Sequence, residues 1–82
     1  MAIFLGLHVM SGSVSDDMAQ TNWDAYKAAC TKAGLSAKHT HFSSEQGKAF
    51  CVTEADSADA VQKAHDDASI PVNEIIEVKD LN

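Results

Sequence analysis

The residues with chemistry to offer in this sequence are four histidines, two cysteines and a few carboxylates that fall in strand-like stretches. His8, His39, His41 and His65 lead. Neutral imidazole is the commonest protein ligand for zinc, copper and nickel, and it titrates near neutral pH. His39 and His41 stand two apart in an alternating stretch, which on a strand sends both side chains to one face roughly 7 Å apart. They suit one metal ion if their rotamers converge; otherwise they are a pair of solvated strand histidines. His8 closes an apolar run. His65 falls one turn after Val61 on the apolar stripe of a helix, from where it could approach the end of the first strand. The alternative for each is a core-edge histidine bonded to backbone. Glu54, Glu74 and Glu77 are the carboxylates that could complete a site, although Glu77 alternates with Ile76 and Val78 and reads as solvent-facing. Cys30 and Cys51 have no C-x-x-C partner, which excludes a zinc ribbon or a thioredoxin-like centre and leaves two buried, reduced thiols. No G-x-S-x-G, S-x-x-K or glycine-rich phosphate loop is present; Gly6 and Gly12 have the wrong spacing and no following lysine. Acyl and phosphoryl transfer are therefore disfavoured.

The elements that must position these groups follow from hydrophobic periodicity. Ala2–Val9 (AIFLGLHV) is a strand, with Ile3, Leu5, Leu7 and Val9 on one side and Phe4, Gly6 and His8 on the other. Apolar residues on both sides mark a strand buried on both faces. SGSVS breaks the pattern, and Ser15 before Asp16 and Asp17 is a helix N-cap with acid in the first turn. Ala19, Trp23, Tyr26, Cys30 and Ala33 trace one helical face that ends at Gly34, and Trp23 and Tyr26 read as core aromatics. Leu35–Ser43 and Lys48–Glu54 are strands of a hairpin turning at Glu45–Gly47. A three-residue loop there would set His41 opposite Cys51; loops of two or four residues would set it beside Val52 or Phe50. Ser57 caps a second helix with Ala58, Val61, Ala64, His65 and Ala68 on its stripe, Pro71 stops it, and Glu74–Val78 is the last strand before a polar tail, Lys79–Asn82.

The order β-α-β-β-α-β is the ferredoxin-like split βαβ, an α+β fold with a four-stranded antiparallel sheet and both helices on one face, here a single domain over residues 1–82. In that topology the first and third strands are central, and in this sequence they are the most apolar. Their second face needs cover that two helices cannot supply, which predicts a homodimer through the open sheet face.

Charge and composition narrow the partners. Six lysines and no arginine against 12 acidic residues give a net charge of −6, and the scattered lysines form no basic stripe, so nucleic acid and anionic membrane are not expected partners. The apolar N-terminal stretch lacks a basic start and holds His8, unlike a secretory signal, and it is shorter than the roughly 20 residues of a membrane helix. The expected location is cytoplasmic.

Taken in order, Gly47–Ala55 (GKAFCVTEA), Ala60–His65 (AVQKAH) and Glu74–Val78 (EIIEV) resemble the family of small nickel-binding, ferredoxin-like proteins. Their pattern reads like G-[KR]-x-F-C-hydrophobic-x-E-A-[PD], then A-V-x-x-x-H, then E-I-x-E-V; Leu7-His8 is compatible with it. The resemblance covers nearly the whole chain and is strongest over Gly47–Val78. It implies a dimeric α+β barrel in which two sheets face each other, and transition-metal binding through histidine. By position, His8 and His65 match recurring family histidines, and Cys51 and Glu54 match the strand-three motif. Family members often carry histidines where this chain has Trp23 and Ala68-Ser69.

The expectation is thus a cytosolic homodimer that binds a divalent transition metal, nickel by resemblance, through His8 and His65, with His39 or His41 in support. Imidazole alone does not separate nickel from copper or zinc. One alternative is a small α+β-barrel enzyme or ligand-binding protein that uses a sheet–helix cavity with a histidine base. The other is a non-catalytic interaction module. No catalytic residue is assigned, and a binding protein is favoured over an enzyme.

Overall fold

The computed structural model describes residues 1–10 and 14–81. Ser11–Ser13, on which most of the expected SGSVS break falls, and Asn82 of the polar tail lie outside the described residues. The chain forms β1 (Ala2–Val9), α1 (Asp16–Ala33), β2 (Ser36–Ser43), β3 (Lys48–Ala55), α2 (Ala58–Asp67) and β4 (Glu74–Val78). This is the expected ferredoxin-like order. The strands make one antiparallel sheet in the order β2-β3-β1-β4, with the two most apolar strands at its centre.

Both helices start as their sequences dictate. The Ser15 hydroxyl accepts from the Met18 amide and the Ser57 hydroxyl from the Ala60 amide, which satisfies donors that the first turn leaves free. Gly34 ends α1 in the left-handed conformation, φ 79°. The end of α2 differs from expectation. The helix stops at Asp67, ahead of Pro71, because Ser69 turns left-handed (φ 58°) and the Ile70 amide donates back to the His65 carbonyl at 2.9 Å. Pro71 is therefore free to serve the connection to β4. The helix faces are also narrower than their stripes: Tyr26 and Cys30 of α1 and Val61, Ala64 and His65 of α2 are buried, whereas Ala33 and Ala58, at the helix ends, are exposed.

The helices cover one face of the sheet. Beneath them, Cys51 packs with Tyr26, Cys30 and Ala64, and Phe4 and Ala55 pack with Val61. The uncovered face carries Ile3, Leu5 and Leu7, all half-buried, with Val9 and Ile76 exposed. Leu5 lies at its centre, paired with Val52 on one side and Ile76 on the other.

The β2–β3 hairpin resolves the open register. Ser43 pairs with Lys48 across a four-residue loop, so His41 lies beside Phe50 and Thr40 opposite Cys51. A bulge between Ala37 and His39 adds Lys38 to β2. By strict alternation Ala37 and His39 would share a face; the extra residue turns Ala37 toward the helices and His39 to the uncovered face, beside Val52.

Candidate metal centre

Three elements deliver three donor atoms to one point on the covered face. The β1 alternation places Phe4, Gly6 and His8 under the helices. The end of β1 is tied down by Asn73, whose side-chain oxygen accepts from the Val9 amide at 2.7 Å and whose own amide donates to the Leu7 carbonyl at 2.8 Å. This holds the α2–β4 connection against the strand and brings the Pro71 carbonyl to His8, whose Nδ1–H donates to it at 2.9 Å. From α2, His65 enters the core with no exposed surface, and its Nδ1–H donates to the Val61 carbonyl one turn back at 2.8 Å. From β3, Cys51 stands opposite Gly6.

A carbonyl can only accept, so both histidines carry their neutral-state proton on Nδ1 and turn the Nε2 lone pair inward. Both lone pairs meet the same sulfur: Cys51 Sγ lies 3.4 Å from His8 Nε2 and 3.5 Å from His65 Nε2. A single S–H can donate to only one of them. Each Nδ1–H is thus fixed by a carbonyl, an arrangement that orients an imidazole for metal binding, and the potential donor atoms of His8, Cys51 and His65 all lie within 4.8 Å of one another. The donor set fits a transition ion: two imidazole nitrogens and a sulfur suit nickel, copper or zinc and disfavour magnesium or calcium.

The surroundings keep the site neutral. Burial holds both imidazoles below their ordinary 6.5, and the same desolvation pushes the Cys51 thiol up to about 11. Tyr26 roofs His65, with ring centroids 4.2 Å apart, and its hydroxyl is paired with Thr53 Oγ1 at 2.6 Å. A pocket of about 390 Å³ opens over the three donors between α1, the sheet and the α2–β4 connection, walled by Met18, Trp23 and Phe42.

These directions fix a pH profile for the metal-free protein. Unfolded histidine takes up a proton near 6.5 and the folded ones resist it, so stability falls as pH drops below 6.5. Unfolded cysteine ionises near 9.0 and folded Cys51 near 11, so stability falls again as pH rises above 9.0. Melts followed by circular dichroism are expected to show the highest midpoint between those two limits. A midpoint that keeps rising as pH falls below 6.5 contradicts the assignment.

Of the histidines singled out from sequence, the structure brings His8 and His65 together, with ring centroids 5.1 Å apart. His39 and His41 stand on the other face of the sheet, beside Val52 and Phe50. The carboxylates stay away from the cluster: Glu54 is paired with Lys38 at 2.8 Å, and Glu74 and Glu77 are exposed on β4. The donor that sequence reasoning left out of the site is Cys51. Its signal lay in Gly6, since a residue without a side chain opposite Cys51 leaves room for the sulfur.

A ferredoxin-like sheet with two imidazoles and a thiol gathered under its helices defines a small α+β protein with a potential transition-metal site. The chain belongs to the nickel responsive protein SCO4226-like family, whose model matches residues 4–78. It is also similar to the crystal structure of SCO4226 from Streptomyces coelicolor A3(2), at 25% identity and a TM-score of 0.90, over 99% of this chain and 100% of that one. The comparison with curated proteins found no match. The resemblance read from the Gly47–Val78 motifs is borne out at the level of family and fold. No helix among the described residues is long and apolar enough to cross a membrane.

Proposed function

We propose that this protein is a cytoplasmic homodimer that binds one divalent transition ion per chain, nickel by family, between His8, Cys51 and His65. The observation that carries the reading is the pair of Nε2 lone pairs directed at one sulfur, each imidazole locked by a carbonyl on its far nitrogen. An ion with borderline-soft character satisfies all three donors, which one thiol proton cannot. Because a coordinating thiol is deprotonated, binding releases about one proton and strengthens with pH. Calorimetric titration with Ni²⁺ tests it. His8→Ala/His65→Ala is expected to lose at least about 100-fold in affinity for this site, since even outer-shell partners of metal ligands are worth about 10–100-fold. An unchanged isotherm sinks the site.

A second reading is supported by the pocket of about 390 Å³ over the same residues, a size within the range of small-molecule sites, and by two histidines held neutral at its floor. In it the cavity takes a small apolar ligand and an imidazole acts as base. Saturating Ni²⁺ that leaves a pocket-bound apolar fluorophore undisturbed separates this reading from the first.

A further inference from the structure

We propose that the cavity over His8 and Cys51 takes a neutral, one-ring aromatic alcohol, a phenol, whose hydroxyl donates to His8 Nε2. This rests on the small-ligand reading of the cavity and names its ligand class. The cavity lies on the helix-covered side of the sheet, so a second chain seated on the opposite face leaves it accessible.

One acceptor at the cavity floor lacks a donor. His8 and His65 each turn an Nε2 lone pair toward Cys51 Sγ, at 3.4 and 3.5 Å, and the thiol has one proton to give. His65 has no exposed surface, so the thiol is the donor within its reach. His8 is half-buried and lines the cavity. With the S–H given to His65, His8 Nε2 faces a sulfur that has nothing left to donate. The polar groups around it are engaged elsewhere. The Tyr26 hydroxyl is paired with Thr53, the Thr40 hydroxyl donates to the Phe50 carbonyl, and the Asn73 side-chain oxygen accepts from the Val9 amide. A ligand hydroxyl supplies the missing bond. A ligand of the same shape without one displaces water and leaves a buried acceptor unpaired, a loss of about 10-fold in affinity.

The walls select an aromatic body and exclude charge. Met18, Trp23, Phe42 and Ile70 offer thioether, ring and aliphatic surface of the kind that packs against an aromatic ring. The volume of about 390 Å³ exceeds the roughly 150 Å³ that suffices for benzene. No Lys, Asp or Glu is among the described residues that line the cavity, and the net charge of −6 repels an organic anion. A carboxylate also has no O–H to donate. Aromatic acids therefore fail on both counts, and an uncharged hydroxyl is the group that fits.

The probes are phenol and toluene, which share a shape and differ in the hydroxyl, titrated above neutral pH into chelator-treated protein. Trp23 is the single tryptophan, so its indole N–H gives one signal in proton–nitrogen NMR and reports occupancy of the cavity. Both probes are expected to move that signal, and phenol alone is expected to move the ring-nitrogen resonance of His8 Nε2. In His8→Phe, which keeps a ring and removes the lone pair, the ratio of phenol to toluene affinity is expected to fall about 10-fold. Circular dichroism checks that this variant folds, and the His8 nitrogen signal in wild type decides the matter if it does not. Phenol that fills the cavity without moving His8 Nε2, or an unchanged affinity ratio in folded His8→Phe, overturns the hydroxyl assignment and leaves the small-ligand reading in place. A Trp23 signal that neither probe moves overturns both.

Discussion

Gly6→Ala is expected to destabilise the metal-free protein and to weaken nickel binding together, through a single methyl group. A Cβ at this position would lie 2.6 Å from Cys51 Sγ, closer than non-bonded carbon and sulfur tolerate, and 3.6 Å from the His65 ring. Neither neighbour can yield easily. Cys51 is on a central strand and its side chain is short, while His65 is fully buried and held by the Val61 carbonyl. Overpacking of this kind costs about 1–3 kcal/mol. The sulfur must also leave the point where the two Nε2 atoms meet, so the cost in metal affinity is expected to be at least as large as that in stability. Gly6→Ala/Cys51→Ala separates the two effects. With the sulfur gone the methyl group is accommodated, so denaturant melts are expected to show the double variant no less stable than Cys51→Ala alone, while nickel binding stays lost. A Gly6→Ala protein that melts and binds nickel like wild type would show that Gly6 and Cys51 do not compete for this space.

The second large effect concerns the uncovered face. Leu5→Asp is expected to convert a particle of twice the chain mass into one of a single chain in light scattering. Leu5 sits between Val52 and Ile76 at the middle of the face, flanked along β1 by Ile3 and Leu7. A contiguous apolar strip of this kind marks an interaction surface. A second copy of the same strip is self-complementary in a two-fold arrangement. A carboxylate at its centre would be desolvated without a partner in the dimer but hydrated in the separate chain, so it opposes association far more than folding. Wild type that scatters as a single chain at micromolar concentration defeats the homodimer. Circular dichroism run alongside distinguishes dissociation from unfolding.

Much of the fold was legible from local signals. The N-caps at Ser15 and Ser57 and the Gly34 stop are short-range chemistry and fall where their residue types predict. The central placement of β1 and β3 followed from the β-α-β-β-α-β order, with which their apolar character agrees. The α2 terminus was misread because Pro71 is a strong helix stop in sequence, whereas the chain had already turned at Ser69. That turn frees the Pro71 carbonyl to orient His8.

The candidate site was only half legible, for a physical reason. By itself the sequence determined which residues could ligate a metal, that His8 ends a buried strand, and that His65 faces inward from α2, because helical and strand periodicities are properties of the local chain. Which of those residues meet was decided by strand register, and register depends on loop length and bulges that change a side chain's face with a shift of one residue. The four-residue hairpin loop and the bulge at Lys38 sent His39 and His41 to the uncovered face. The pairing of Gly6 with Cys51 brought the sulfur to His8 and His65. Four histidines read as one group of candidates thus became two pairs on opposite faces of a single sheet, because a side chain's face is set by pairing across the sheet and not by its own neighbours in sequence.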